Sequence, residues 1–203
     1  IGILNSEKII LGLSNLHFRY AHTSILQYFS AASNNIIFGD NGIVFAQALI
    51  AVSVITNFLS LINRFLKKKE FGFHFYFIFF VLIFIFYKMN RYSEYGNDAP
   101  AHFLYFFLIS ELIIIIKKKN KKLINNLFLT LFIIQNKILL IPVFFLNIVN
   151  VNLSNIKNTI KSKKFLLLNF IFISWIVKNL LTSGCLIYPV VFTCSDSILW
   201  SDL

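Results

Sequence analysis

The sequence predicts an all-α bundle of helices that span a membrane more than once. Three observations carry that expectation. The chain has 203 residues, of which 58% are hydrophobic and 13% charged, with a mean hydropathy of +0.76; a soluble domain is roughly half apolar and a quarter charged. Its apolar residues come in long runs, FGFHFYFIFFVLIFIFY over 71–87 and AHFLYFFLISELIIII over 101–116, of a length that belongs in lipid. Between the runs sit blocks of lysine, at 67–69, at 117–122 (interrupted by Asn120) and at 157–164. Short cytoplasmic loops collect Lys and Arg, so these blocks orient the chain as well as separate its helices.

The elements follow in order. Residues 1–42 mix polar and apolar groups and form an external segment, with a helix over about 20–33 that lies at the interface or packs on the bundle. Asp40-Asn41-Gly42 reads as a turn. A first span over 43–62 ends inside at Arg64 and the first Lys block. Residues 71–87 cross outward, 88–100 form an external loop, and Pro100 suits the first turn of the helix over 101–116, which returns inward. The stretch 123–149 decides the topology. As one span it leaves the third Lys block outside and buries Lys137 near the midplane, at a cost of roughly 2.5–3.5 kcal/mol. As two short arms, 123–134 and 138–150, it forms a re-entrant-type hairpin with Gln135-Asn136-Lys137 at the tip. Each arm then reaches only about 18 Å at a rise of about 1.5 Å per residue. The hairpin keeps every Lys block inside and is the expected form. Residues 165–180 cross outward, and 181–203 are an external loop. This threading puts thirteen of the nineteen basic residues inside and six of the eight acids outside, so chemistry is expected at the outer mouth. The whole chain, 1–203, is a single transmembrane domain with its bundle over 43–180. Its opening at Ile1 and its polar close at Leu203 read as a piece cut at both ends.

The net charge of +11 is spread over loops that flank apolar spans, so it serves orientation; no nucleic acid partner is expected. The sequence has no HExxH, no CxxC and no His paired with its two thiols, so no metal site is expected. It also lacks a Gly-rich phosphate loop and a Ser elbow.

Three outer segments and the hairpin tip hold the unusual polar residues. The richest is Arg91-Tyr92-Ser93-Glu94-Tyr95-Gly96-Asn97-Asp98, with His102 one turn into the next helix. Glu94 or Asp98 could act as a general base, or bind a divalent cation, the one cofactor these groups could hold. Arg91 and Lys137 could clamp a phosphate. The plain alternative is a solvated loop with an Arg91–Glu94 pair of little energetic weight. His17 and Arg19 either contact an anionic substrate or are ordinary snorkelling groups. Lys137 is the more specific signal, because an ionisable group at membrane depth is a functional candidate by default. Glu111 either pairs with Lys117 or Lys118 or faces the bundle interior. Cys185 and Cys194 share one external loop and are a disulfide candidate if that side is oxidising.

GLSNLHFRYAHTS (12–24), RYSEYGNDAPAH (91–102) and SGCLIYPVVFTC (183–194) together resemble an uncharacterised family of bacterial polytopic membrane proteins. Its members look like GT-C-type glycosyltransferases or surface-polysaccharide polymerases. The resemblance implies a GT-C-like bundle in the bacterial inner membrane, with the Lys-rich loops cytoplasmic and the motif loops periplasmic. It also implies a sugar on a polyprenyl phosphate as substrate, and an acid in a first external loop that would precede Ile1. The closing SDSILWSDL departs from the Cys-Phe pattern expected after Thr193-Cys194. On this reading Glu94 and Asp98 are catalytic, while Arg91, Lys137, His17, Arg19, His102 and Asn97 bind substrate or phosphate. Two other functions fit the same sequence: a transporter of lipid-linked glycan or small molecules, disfavoured by the lack of an internal repeat, and a non-catalytic scaffold subunit. The sidedness is directly testable. An impermeant thiol reagent should label Asn97→Cys in intact cells and Ile160→Cys only after the membrane is opened; equal labelling of both would overturn the orientation.

Overall fold

In the computed structural model the described residues are 10–15, 24–35, 37–92, 98–118, 123–151, 153–195, 198 and 200. They form eight α-helices: α1 (Ile25–Ser33), α2 (Gly42–Lys68), α3 (Phe73–Tyr92), α4 (Asp98–Lys118), α5 (Leu123–Asn136), α6 (Val143–Leu146), α7 (Leu153–Ile160) and α8 (Lys163–Ser183). No strand occurs among the described residues, and the protein is an all-α bundle. Three stretches, Gly39–Lys68, Asp98–Ile116 and Lys163–Ser183, are long and apolar enough to cross a membrane. Of these the stretch in α4 is 44% buried against 17% for the other two, so α4 is the central pillar.

α4 has that place because it faces two cores. On one side Ala51, Val54 and Phe58 of α2 meet Ile78, Val81, Leu82 and Ile85 of α3, with Ala99 and Phe103 of α4 closing the cluster. On the other, Leu108, Leu112 and Ile115 pack against Ile133 of α5 and Val143 of α6. The outside is apolar too: Phe73, Phe80, Leu166, Phe170 and Ile173 are each more than half exposed. A water-facing monomer rarely shows so much contiguous apolar surface.

Local signals fix where the helices start and stop. Ser162 caps α8, its hydroxyl accepting from Phe165 N–H at 3.2 Å, and Gly184 ends α8 in the left-handed region with φ 72°. α2 ends the same way on a non-glycine residue, Lys69 (φ 55°), with the Lys69 and Glu70 N–H groups donating to Leu66 O and Phe65 O. Lys67 and Lys68 in its last turn suit the negative end of the helix dipole. Two exposed hydroxyls within α2 bond back to their own helix, Ser53 to Leu49 O and Thr56 to Val52 O, both at 2.7 Å, which satisfies them on an apolar face.

The contacts set the relative directions of α2, α4, α5 and α8. Arg64 and Lys68 of α2 share a cavity with Ile114 of α4, so the C-terminal ends of these two helices lie together. Lys137, just past α5, reaches Asp98 at the start of α4, so α4 and α5 are antiparallel. Leu127, Leu131 and Ile134 of α5 line a cavity with Leu168 and Phe172 of α8, which places α8 alongside α5 in the same direction. The Lys-bearing ends of α2, α4 and α8 therefore gather at one end of the bundle.

Several boundaries differ from those read in the sequence. α3 continues to Tyr92 and α4 begins at Asp98, so Arg91 lies on a helix and Asp98 in a first turn, where a carboxylate is favoured by the dipole. Gln135 and Asn136 are the last residues of α5, and the chain breaks at Lys137 (φ −143°, ψ 102°). The hairpin itself is present: the return arm packs back on α5, and Asn147 Nδ2 donates to Thr130 Oγ1 at 2.9 Å. That arm is two 3-10 turns around the short α6 rather than one helix, because Pro142 removes a backbone donor. α7 was not expected. The first helix begins at Ile25 and packs on α2; positions 20–23 lie outside the described residues.

α1 approaches α2 closely at Gly42, where a Cβ would collide with the carbonyl of Ser33 and come within 2.9 Å of Asn34 N. Gly39, by contrast, has φ +52° but open space around it. Gly42→Ala should therefore lower the unfolding midpoint in detergent through overpacking of about 1–3 kcal/mol. Gly39→Ala should show only the left-handed backbone strain of about 1–2 kcal/mol, with the α1–α2 contact intact by cysteine cross-linking.

Candidate functional site at the hairpin tip

Three consecutive side chains at the end of α5 reach three different helices. Gln135 Nε2 donates to Ile171 O of α8 at 3.4 Å. Asn136 Oδ1 accepts from Ser24 Oγ and from Leu26 N–H, both at 3.0 Å, at the start of α1. Lys137 Nζ lies 2.9 Å from Asp98 Oδ2 at the start of α4. This spread follows from local geometry. Successive residues on a helix point about 100° apart, and the break to extended backbone at Lys137 turns the third side chain further.

Asn136 holds the site together. It is buried, and its Nδ2 donates to Phe132 O at 2.7 Å, so both ends of its amide are used. Ser24 is the N-cap of α1; its hydroxyl accepts from Leu26 N–H at 3.2 Å while donating to Asn136. One carboxamide oxygen thereby completes the cap of a helix more than a hundred residues away in sequence.

Lys137 and Asp98 form the one ion pair among the described residues. The partners are unequally exposed, Asp98 at 65% and Lys137 at 19%. The carboxylate therefore remains open to solvent while the ammonium is largely enclosed. One turn along α4, His102 Nδ1–H donates to the backbone carbonyl of Asp98 at 2.7 Å.

Beside the tip lies an apolar cavity of about 330 Å³ between α1 and α8. Tyr28, Ile171, Ser174, Trp175 and Lys178 line it. The tip touches its walls twice, at Ile171 through Gln135 and at the start of α1 through Asn136. The same end is closed by the C-terminal loop. Cys185 and Cys194 are joined as a disulfide with S–S 2.02 Å. Thr193 Oγ1 accepts from Ile187 N–H at 3.1 Å, and Asn179 Nδ2 donates to Leu186 O at 3.2 Å. Gly12 N–H donates to Leu181 O at 3.0 Å and Trp200 Nε1 to Leu180 O at 3.2 Å, so residues from near both ends of the chain meet the end of α8.

Of the residues singled out in the sequence, the structure brings Asp98, His102 and Lys137 together. Arg91 lies on α3 near its C-terminal end. His17, Arg19, Glu94 and Asn97 lie outside the described residues. Asn136, Tyr28, Ser174 and Lys178 were not singled out individually. The adjacent polar pair Gln135-Asn136 inside an apolar run was the signal for Asn136. Nothing local marked the cavity, because its walls come from helices far apart in sequence. No group of three or more His, Cys, Asp or Glu suited to a metal occurs among the described residues.

Residues 1–201 match the family described as Domain of unknown function (DUF8201), and the chain belongs to that family. No curated protein matches, and no solved structure matches.

The two tip interactions differ in weight. Asn136→Ala leaves the buried Ser24 Oγ–H without its acceptor and Leu26 N–H with Ser24 Oγ alone, so it should destabilise by about 1–3 kcal/mol. Lys137→Met breaks an ion pair that is half open to solvent and should change stability by less than about 1 kcal/mol. Thermal unfolding of the purified protein in detergent checks both, and the reverse order would remove Asn136 as the lock.

Proposed function

We propose that the protein is a multi-pass component of the bacterial inner membrane that transfers sugar from a lipid-linked phosphate donor at its outer face. The observation that carries this reading is the joined arrangement at one end of the bundle. An apolar cavity of about 330 Å³ with Lys178 on its wall adjoins, through the hairpin tip, an enclosed ammonium and an open carboxylate. An amphiphile with an anionic head needs this combination, an apolar slot for its chain and cations for its phosphate. The Lys-bearing ends lie at the opposite end of the bundle, and cytoplasmic placement of those ends puts the site outside. The resemblance of residues 12–24, 91–102 and 183–194 to a family of bacterial membrane proteins whose members look like GT-C-type enzymes supports the same chemistry.

On this reading the lipid chain lies between α1 and α8 against Ile171 and Trp175. Lys137 leaves Asp98 for the donor phosphate and neutralises it as the glycosidic C–O bond breaks. Asp98, released from Lys137, takes the proton of the attacking acceptor hydroxyl. His102 fixes the first turn of α4 and so the position of that carboxylate. The phosphate leaves with the electron pair of the broken bond, and the acceptor oxygen forms the new bond to the sugar.

A second reading, transport of the same class of substrate, draws support from buried amide atoms without partners among the described residues: Asn126 Nδ2, Gln135 Oε1 and Asn147 Oδ1. These would suit a hydrated path along the hairpin.

Lys137→Ala and Asp98→Asn should each lower glycan product by at least about tenfold at normal membrane abundance, and Ser174→Trp should do so by filling the cavity. Unchanged product in all three would overturn the enzyme reading. Uptake of lipid-linked sugar into vesicles, with no covalent product, would replace it with transport.

A further inference from the structure

The opposite end of the bundle holds a second cavity, of about 280 Å³, which the outer-face reading does not use. Its polar wall is Arg64, Lys68, Glu70 and His74, and its apolar wall includes Phe65 and Ile114. Arg64 and Lys68 are four residues apart on the last turns of α2 and so share a face. Glu70 lies in the turn that follows, and His74 in the first turn of α3.

The floor of this cavity is fixed. His74 is 2% exposed, with Nε2 2.8 Å from Ser110 Oγ of α4. Its ring stands edge-on to Phe65, with centroids 5.3 Å apart. The left-handed turn at Lys69 stops α2 beside the cavity and reverses the chain into α3. Three helices therefore hold the walls in place, and the imidazole is tied to the pillar helix α4.

The charges are not balanced within the cavity. Among the described residues neither Arg64 nor Lys68 is paired with a carboxylate, since the one ion pair is Lys137–Asp98. Glu70 supplies one negative charge against the two cations. Lys67 and Lys69 flank it in sequence, and Glu111 lies on the neighbouring stretch of α4. A guanidinium beside an ammonium matches the oxygens of a phosphate, Arg through its planar fork and Lys as a point charge. The half-apolar lining adds a place for carbon next to the phosphate. Basic pockets between helices at the cytoplasmic end of a bundle have this composition when they hold anionic headgroups.

We propose that the cavity at the junction of α2, α3 and α4 binds a phosphate-bearing anion through Arg64 and Lys68. The chemistry is shared by a lipid headgroup and by free phosphate; the position at the end of membrane-length helices and the Phe65–Ile114 wall favour the headgroup. The test uses the whole chain in phosphatidylcholine nanodiscs, with native mass spectrometry after addition of phosphatidylglycerol in one arm and inorganic phosphate in the other. The wild type should retain phosphatidylglycerol, and R64Q/K68Q should lower its occupancy about tenfold, the equivalent of one lost bidentate clamp. K163Q/K164Q removes the same charge at the same end of the bundle outside the cavity and should leave occupancy within about twofold. Ile114→Trp keeps every charge but fills the space, and should also abolish retention; it covers the case in which the charge variant does not fold. Retention of inorganic phosphate alone, lost in R64Q/K68Q, would support the site with a free anion as its ligand. Equal losses in R64Q/K68Q and K163Q/K164Q, or retention that survives Ile114→Trp, would overturn it.

Discussion

The carboxamide of Asn136 is the interaction on which the rest of the structure depends. It sits where a short helix stops inside the bundle, so the backbone there loses its regular partners. The same side chain satisfies its own helix through Phe132 O and the start of α1 through Ser24 and Leu26. A buried amide costs least when both its ends are paired, as they are here. Pairing them here fixes the depth of the hairpin and the position of α1 together. The neighbours on either side, Gln135 and Lys137, then have no freedom over which helix they meet.

This lock also divides the labour between the two cores. The α2–α3–α4 core is mostly apolar, with Phe58, Ile78 and Ile85 fully enclosed and the buried His74–Ser110 contact as its polar tie. The hairpin side is mixed: Asn126, Thr130 and Asn147 are buried beside Ile133 and Val143. Apolar packing alone is weakly directional, and in lipid it gains little from burial because the surroundings are as apolar as the core. Polar contacts such as Asn147 to Thr130 give the hairpin a defined register that leucine-like packing would not. The two cavities follow from the same division. Each forms where a polar side chain, Gln135 or His74, holds a helix in place beside an apolar wall.

Much of this was legible in the residues. The Lys blocks and apolar runs set the helix order, and the cost of burying Lys137 favoured a hairpin over a straight span. Asp98, His102 and Lys137 were readable as candidates because ionisable groups are rare beside such runs. The pairing of Lys137 with Asp98 was not readable, since nothing in either segment names its partner. The helical state of Gln135 and Asn136 was also hidden. Polar residues before a break look like a loop until the Asn136 amide is seen to bond Phe132 O within the helix and Gln135 to bond Ile171 O of α8. The extension of α3 to Tyr92 escaped for a related reason: a helix ends where its hydrogen bonds end, and apolar character stops earlier.

By itself the sequence determined an all-α chain with its cations collected apart from most of its acids. Those properties depend on local composition and on the reach of a helix, which each segment carries alone. The tertiary structure decided which polar groups meet: Asn136 with Ser24, Lys137 with Asp98, and His74 with Ser110. These contacts join residues 36 to 112 positions apart. Their existence depends on the rotation and depth of packed helices, and no local run of residues specifies either.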